Sequence, residues 1–278
     1  MVNTFQMKPF VKWAGGKGQL VDKLLAKAPK VFNRYYEPFV GGGALLLALA
    51  PHKATINDTN EQLINVFNQL QTNIDGVMSV IRTLDSVECN KEYYYRIREQ
   101  YNSKIIANEL DEECAGLMIW MNKHCFNGLY RVNKKGLFNV PYNNQTTKKS
   151  FDEDNLRHIG EYLRKNKVNI SCMDFERICS RVRTGDFVYF DSPYLPISTT
   201  ANFTDYTAAG FTMADHERLA ILFRKLADKG VKVMLTNHNV PLVKELYRGF
   251  HIDEVDVKRL INSDANKRIG KEVIITNY

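Results

Sequence analysis

The sequence predicts an α/β fold interrupted by a long helical stretch, and three observations predict it. Short β-prone runs end repeatedly at a carboxylate: Asp58 follows residues 54–57, Asp174 follows residues 168–171, and Asp191 follows the apolar run 188–190. Positions just beyond strand ends are where open α/β sheets bind ligands. Segments with helical spacing lie between and after these runs, at residues 44–50, up to residue 165, and at 213–229. From residue 61 to about residue 119 the pattern is then helical, with Leu63, Ile64, Val66, Phe67 and Leu70 at three-to-four spacing.

The chain of 278 residues, 44% hydrophobic and 25% charged, is long enough for one large domain or one domain with an insertion. Its 38 Lys and Arg against 31 Asp and Glu give +7 and favour a polyanionic partner. Five cysteines, none in a C-x-x-C pair, indicate neither a disulfide framework nor a zinc site, so the chain reads as reduced and cytoplasmic. The first residues, MVNTFQMKPF, lack the apolar core of a signal peptide, and no run of about 18 apolar residues implies a membrane span.

Taken in order, FVKWAGGKG (residues 10–18) sets two glycines between an aromatic and a lysine, ahead of the helical residues Leu20, Val21, Leu24 and Leu25. Such a loop lets backbone approach a ligand at a helix N-terminus, or it is a simple turn with a solvated lysine. The spacing is not that of a P-loop. YYEPFVGGG (35–43) follows as strand, glycine turn and helix, the arrangement that cradles a nucleotide-like cofactor. Its glycines do not fit the Gly-x-Gly-x-x-Gly fingerprint, which disfavours nicotinamide or flavin. Asp58, about 20 residues on, is placed either to accept ribose hydroxyls or to cap the helix beginning near Asn60.

Between Cys114 and Phe151 there is no Asp or Glu, while Lys123, Arg131, Lys134, Lys135, Lys148 and Lys149 interleave with Trp120, Phe126, Tyr130, Phe138 and Tyr142. Cations neutralise phosphates and aromatic faces stack on bases, so this stretch suits a nucleic acid; the alternative is a solvated basic face. Beyond Asp152 the α/β pattern resumes. The run VYFDSPY (188–194) ends a strand at Asp191, Ser192, Pro193 and Tyr194, because proline has no N–H for the ladder. A rigid turn there aims an anionic acceptor, the Ser192 carbonyl and an aromatic face at one point, which suits a planar amine-bearing ring; read alone, it is also a capped turn. Residues 201–212 form a loop. Residues 231–235 make a strand ending at Thr236, Asn237 and His238, with His238 as hydrogen-bonded scaffold. Residues 252–257 and 272–277 pair as an antiparallel hairpin around a basic loop with Lys258, Arg259, Lys267 and Arg268.

The segments FVKWAGGKG, YYEPFVGGG, INDTN, FNGLYRVNKKGLFNVPY, MDF (173–175) and FDSPY, in this order over nearly the whole chain, resemble the DNA adenine methyltransferases of the Dam type, particularly those of GATC-specific methylation and restriction systems. The resemblance implies an S-adenosyl-L-methionine-dependent methyltransferase fold, a Rossmann-like mixed sheet with an antiparallel C-terminal strand, plus a helical target-recognition insertion. It implies a discontinuous catalytic domain, residues 1–59 and 152–278, around a recognition domain of residues 60–151.

It also implies roles. Trp13, Lys17, Phe39, Gly41, Asp58, Asp174, Phe175 and Asp191 would serve the cofactor, with Asp58 on the ribose and Asp174 and Phe175 on the adenine. Arg131 would read a guanine and Lys12 another; Asn127, Leu129 and Pro141 would meet bases or methyl groups, Phe126 the vacated space, and Lys134 a phosphate. Asp191, Ser192, Pro193 and Tyr194 would form the catalytic turn, with no metal. The family usually has two prolines after the acid, and Ser192 replaces the first. The expected function is methylation of the adenine amine in double-stranded DNA, in GATC, after base flipping, with a separately acting restriction endonuclease as a possible companion. The alternatives are a DNA-binding regulator that has lost catalysis, or a methyltransferase on another amine of cytosine, RNA or a protein amide.

Overall fold

The computed structural model describes residues 5–146, 149–196, 210–258 and 269–278. The expected loop at 201–212 falls outside these up to residue 209, as do Lys148, Arg259, Lys267 and Arg268. By contact the chain forms two compact units. One comprises Met1–Gly16, Val40–Ala50 and Asp58–Cys172; the other comprises Lys17–Phe39, Pro51–Asn57 and Met173–Tyr278.

The strands are β1 (Tyr35–Glu37), β2 (Ala54–Asn57), β3 (Asn169–Ser171), β4 (Phe187–Phe190), β5 (Lys232–His238), β6 (His251–Lys258) and β7 (Ile269–Thr276); those of the second unit follow the sheet order β2-β1-β4-β5-β7-β6. Within the second unit β2, β1, β4 and β5 run parallel, whereas β7 lies antiparallel to both β5 and β6. All four residues of β4 are buried, as a strand covered on both faces requires. Its core combines Val188, Phe190, Val233, Leu235, Val273 and Ile275 of the sheet with Leu219 and Phe223. The last two belong to the helix Met213–Asp228, which starts at a capping box formed by Thr212 and Asp215. β5 runs three residues past the expected end at 235, because β7 pairs with it as far as His238↔Glu272. The C-terminal hairpin forms as expected.

In the first unit the helical stretch expected from residue 61 to about 119 is four helices: α3 (Glu61–Thr72), α4 (Ile74–Asp85), α5 (Lys91–Ala107) and α6 (Glu112–His124), preceded in the chain by α1 (Val21–Lys27) and α2 (Ala44–Leu49). The breaks have a local cause. Asn60, Asn73, Asn90 and Asp111 each accept a hydrogen bond from a backbone N–H of the turn they open, so each starts a new helix. Asn108 closes α5 in the left-handed region at φ 53°. α6 is buried from Cys114 through Asn122, and α3, α4 and α5 pack against it.

Candidate active site and nucleic-acid interface

Asp191 stands one residue past β4. Its Oδ1 accepts the Lys17 ammonium at 2.8 Å and the Thr236 hydroxyl at 2.9 Å. Burial pushes the carboxyl up, while Lys17 and the Thr236 hydrogen bond pull it back. Lys17 is itself buried, 5% exposed, with its ammonium 4.5 Å from the Tyr194 ring centroid. The Tyr194 hydroxyl donates to Glu272 at 2.9 Å, and the His238 ring meets it edge to face at 4.8 Å.

The end of β5 holds the rest of the turn. Asn237 Oδ1 accepts the Leu195 N–H at 3.0 Å, and His238 Nδ1 donates to the Leu195 carbonyl at 2.7 Å. Thus Thr236, Asn237 and His238 pin both flanks of residues 191–195, and His238 is hydrogen-bonded scaffold. Ser192 is buried, and its hydroxyl has no hydrogen-bond partner among the described residues.

Elsewhere in this unit, Asn57 at the end of β2 bonds the Met173 backbone in both directions and also donates to Pro38, which fixes the turn before Asp174. Asp174 caps the helix Phe175–Cys179 through the Glu176 N–H. Arg218 contacts both of its oxygens, at 3.0 and 3.1 Å, and lies 4.8 Å from the Phe175 ring centroid. The Phe39 ring packs on Phe175 at 5.4 Å.

In the first unit Gly41 adopts φ 47°, and a Cβ there would stand 2.9 Å from Cδ1 of Trp13, so the turn requires glycine on both counts. Trp13 stacks on Tyr130 at 5.1 Å. Asp58 accepts the Gly41 N–H at 3.1 Å and the Asn60 N–H at 3.0 Å. The helix cap is Asn60, so Asp58 is not that cap, and its carboxylate ties the glycine turn to the residues ahead of α3. Burial raises its carboxyl above the ordinary value.

The basic stretch follows α6. Phe126–Gly128 is a tight turn with Asn127 at φ 56° and Gly128 at φ 66°. Phe126 donates its N–H to the Pro141 carbonyl, and Asn139 donates to that of Arg131, which closes a short two-stranded ribbon. Phe126 and Leu129 are 51% and 40% exposed, and Lys12, Asn127, Arg131, Lys134 and Pro141 are also exposed. Asn122 joins the N-terminal segment to this ribbon: it accepts the Lys12 N–H at 2.8 Å and donates to the Lys12 and Gly128 carbonyls at 2.9 Å each. The Arg131 guanidinium is oriented by Asn139 Oδ1 at 2.8 Å.

Sequence reasoning did not single out Thr236, Glu272, Asn57, Arg218 or Asn122 as site residues. The signal for Asn122 was present, as an amide directly after the apolar run 114–121. The others depend on which elements the fold brings together across long stretches of sequence.

The strand order with its antiparallel C-terminal hairpin, and the carboxylate turn at the end of β4, define an S-adenosylmethionine-dependent methyltransferase fold. The chain belongs to the D12 class N6 adenine-specific DNA methyltransferases, whose family model matches residues 13–261. It is 42% identical over 278 residues to the type II methyltransferase M1.LlaDCHI of Lactococcus lactis subsp. cremoris, covering 99% of this chain and 97% of that protein. It is 40% identical over 292 residues to the type II methyltransferase M.MjaIII of Methanocaldococcus jannaschii, covering 98% and 100%. To the DNA adenine methylase of Escherichia coli it is 32% identical over 272 residues, covering 98% and 95%. It is an adenine-specific DNA methyltransferase, so its substrate is DNA and its family implies S-adenosylmethionine as methyl donor. No helix among the described residues is long and apolar enough to cross a membrane.

Proposed function

We propose that this methyltransferase acts on the adenine of GATC in duplex DNA after turning the base out of the stack, and that Asp191 is the acceptor for its amine. The single observation that carries the reading is the geometry around Asp191: a desolvated carboxylate at a buried strand end, followed by a short turn to Tyr194. In a duplex the adenine amine is paired, so it must leave the helix to reach such a turn. Its lone pair is delocalised into the ring. Asp191 and the Ser192 carbonyl would each accept one amine hydrogen, favouring the tetrahedral nitrogen and offsetting the positive charge that develops there. Tyr194 would hold the ring plane, with its hydroxyl anchored on Glu272.

The residues present suit the cofactor. Gly41 keeps backbone open where a side chain would collide, and Asp58 and Asp174 are acceptors for hydroxyl and amine donors of a nucleoside. Trp13, Gly41, Asp58, Lys17, Phe39, Asp174, Phe175 and Asp191 would hold it. When bound, S-adenosylmethionine supplies an electrophilic methyl group on a sulfonium.

In this reading residues 60–151 are the target-recognition part, and residues 1–59 with 152–278 the catalytic part. The exposed side chains of the ribbon support it. Arg131 is a guanidinium fork for a guanine edge, Lys12 meets a second guanine, and Asn127, Leu129 and Pro141 meet bases or thymine methyl groups. Phe126 fills the space the base leaves, and Lys134 meets phosphate. A type II methylation and restriction setting, with a separate endonuclease, fits the same specificity. The test is to incubate the protein and S-adenosylmethionine with unmethylated DNA and challenge the product with GATC nucleases of opposite methylation sensitivity. Protection confined to GATC, with N6-methyladenine as the product, is expected. Methyl groups at another sequence would overturn the specificity, and methylcytosine the acceptor.

A further inference from the structure

The Asp191 carboxylate is held asymmetrically, because both of its described hydrogen bonds, from Lys17 and Thr236, end on Oδ1. Behind Thr236 stands Tyr189, with its hydroxyl 3.1 Å from Thr236 Oγ1. Both residues are closed to solvent, at 0% for Thr236 and 1% for Tyr189.

The direction of the chain follows from the inventory of protons. An ionised carboxylate only accepts, so Thr236 spends its one proton on Asp191 and its lone pair faces Tyr189. Burial pushes the Tyr189 phenol far above its ordinary value, so Tyr189 is the donor. The sheet supplies the register. Tyr189 pairs with Met234 and Phe190 with Leu235, which carries Asp191 abreast of Thr236, and alternation places Tyr189 and Asp191 on one face of the chain.

We propose that Thr236 is a positioning residue for methyl transfer: the relay from Tyr189 through Thr236 clamps Oδ1 of Asp191, so that Oδ2 is the oxygen presented to the adenine amine. The inference rests on the reading of Asp191 as amine acceptor. An ion pair with Lys17 alone leaves the carboxylate free to rotate about its last bond. A second donor from a different strand removes that freedom before the substrate arrives.

Thr236 also acts on the charge of the acceptor. The groups facing Asp191 are Lys17, which favours the ionised form, Glu272 from β7, which opposes it, and the neutral phenols Tyr189 and Tyr194. The Thr236 hydroxyl adds a donor for the ionised form.

The test compares Thr236→Val, which keeps the shape and loses the donor, with Thr236→Ser, which keeps the donor. Single-turnover methylation at saturating DNA and S-adenosylmethionine is measured from acid to neutral pH, beside DNA affinity, cofactor affinity and melting temperature. Thr236→Val is expected to slow transfer about tenfold or more and to move the acid limb of the rate profile to higher pH, with both affinities unchanged. Thr236→Ser is expected to restore rate and profile, and Tyr189→Phe to shift both in the direction of Val by less. A wild-type rate and profile for Thr236→Val, or Thr236→Ser as impaired as Val, overturns the proposal. Should Thr236→Val fail to fold, Tyr189→Phe decides in the same way. Asp191→Asn separates the two claims. If it transfers at the wild-type rate, the acceptor reading falls and the relay with it; if it is inactive while Thr236→Val is unaffected, only the relay falls.

Discussion

Ser192 carries a hydroxyl into a buried position where no described residue pairs with it. An unpaired buried hydroxyl costs about 1–3 kcal/mol, and replacing it by an apolar group of similar shape removes that cost. Ser192→Ala is therefore expected to raise stability by about 1 kcal/mol and to leave transfer unchanged, since the backbone carbonyl that serves the amine remains. Denaturant titration and single-turnover rates check it; loss of transfer would mean that the hydroxyl touches substrate. Asp191→Ala is expected to abolish transfer while leaving DNA affinity intact, because losing one preorganised group aimed at developing charge costs about 3 kcal/mol or more. Burial lifts the Asp191 carboxyl, so in the wild type the rate is expected to fall on the acid side at a pH above the ordinary carboxylate range of about 4. Asp191 was legible in the sequence because its setting is local, a strand end followed by Ser, Pro and Tyr. Thr236 and Glu272 were not, since each acts on residues more than forty positions away from another strand of the sheet.

At the scale of elements, the ribbon after α6 presents its side chains outward because its backbone is already satisfied, Phe126 on Pro141 and Asn139 on Arg131. That arrangement separates roles. Arg131→Ala is expected to relax specificity at one base pair by roughly 1–3 kcal/mol, whereas Lys134→Ala weakens all sequences alike and lowers the salt dependence of binding. Rates over a set of near-cognate duplexes and a salt titration distinguish the two. Asn122→Leu is expected to cost a few kcal/mol of stability, because it leaves the Lys12 and Gly128 carbonyls and the Lys12 N–H without their partner. It is also expected to weaken DNA binding, measured by anisotropy at a temperature where the variant remains folded; affinity equal to the wild type would show that Lys12 needs no clip. The helices were legible as periodicity but not as separate elements. Their apolar spacing continues across the Asn and Asp caps, so the period alone does not show where a chain reverses. The short helices Phe175–Cys179 and Pro241–Leu246 were not read at all, being too brief for any period.

Over the whole molecule, the compact units follow contact rather than sequence blocks, and each takes three stretches of chain. Such a partition rests on long-range contacts, so the sequence could suggest an insertion but not which flanking segments pack with it. Each unit contains its own buried histidine. His124, in the first, gives one ring nitrogen to Ser150 at 2.8 Å, and its Nδ1 has no partner among the described residues. His216, in the second, meets Phe211 edge to face at 4.8 Å and has an unpaired Nε2 among those residues. Burial pushes both down to about 4 from the ordinary 6.5. The sign follows from linkage: between pH 6.5 and 4 the unfolded chain binds protons that the folded histidines refuse, so stability falls as pH falls through that window. Each group accounts for about 3 kcal/mol once pH is below both values. His216→Met removes one titrating ring at similar volume, so its melting temperature, taken relative to its own value near neutrality, is expected to decline less steeply than that of the wild type in the same window. The His124 contribution remains, so some acid slope persists. Melting curves at half-unit pH steps decide it; a slope for His216→Met equal to that of the wild type would show that His216 is not held neutral by the fold.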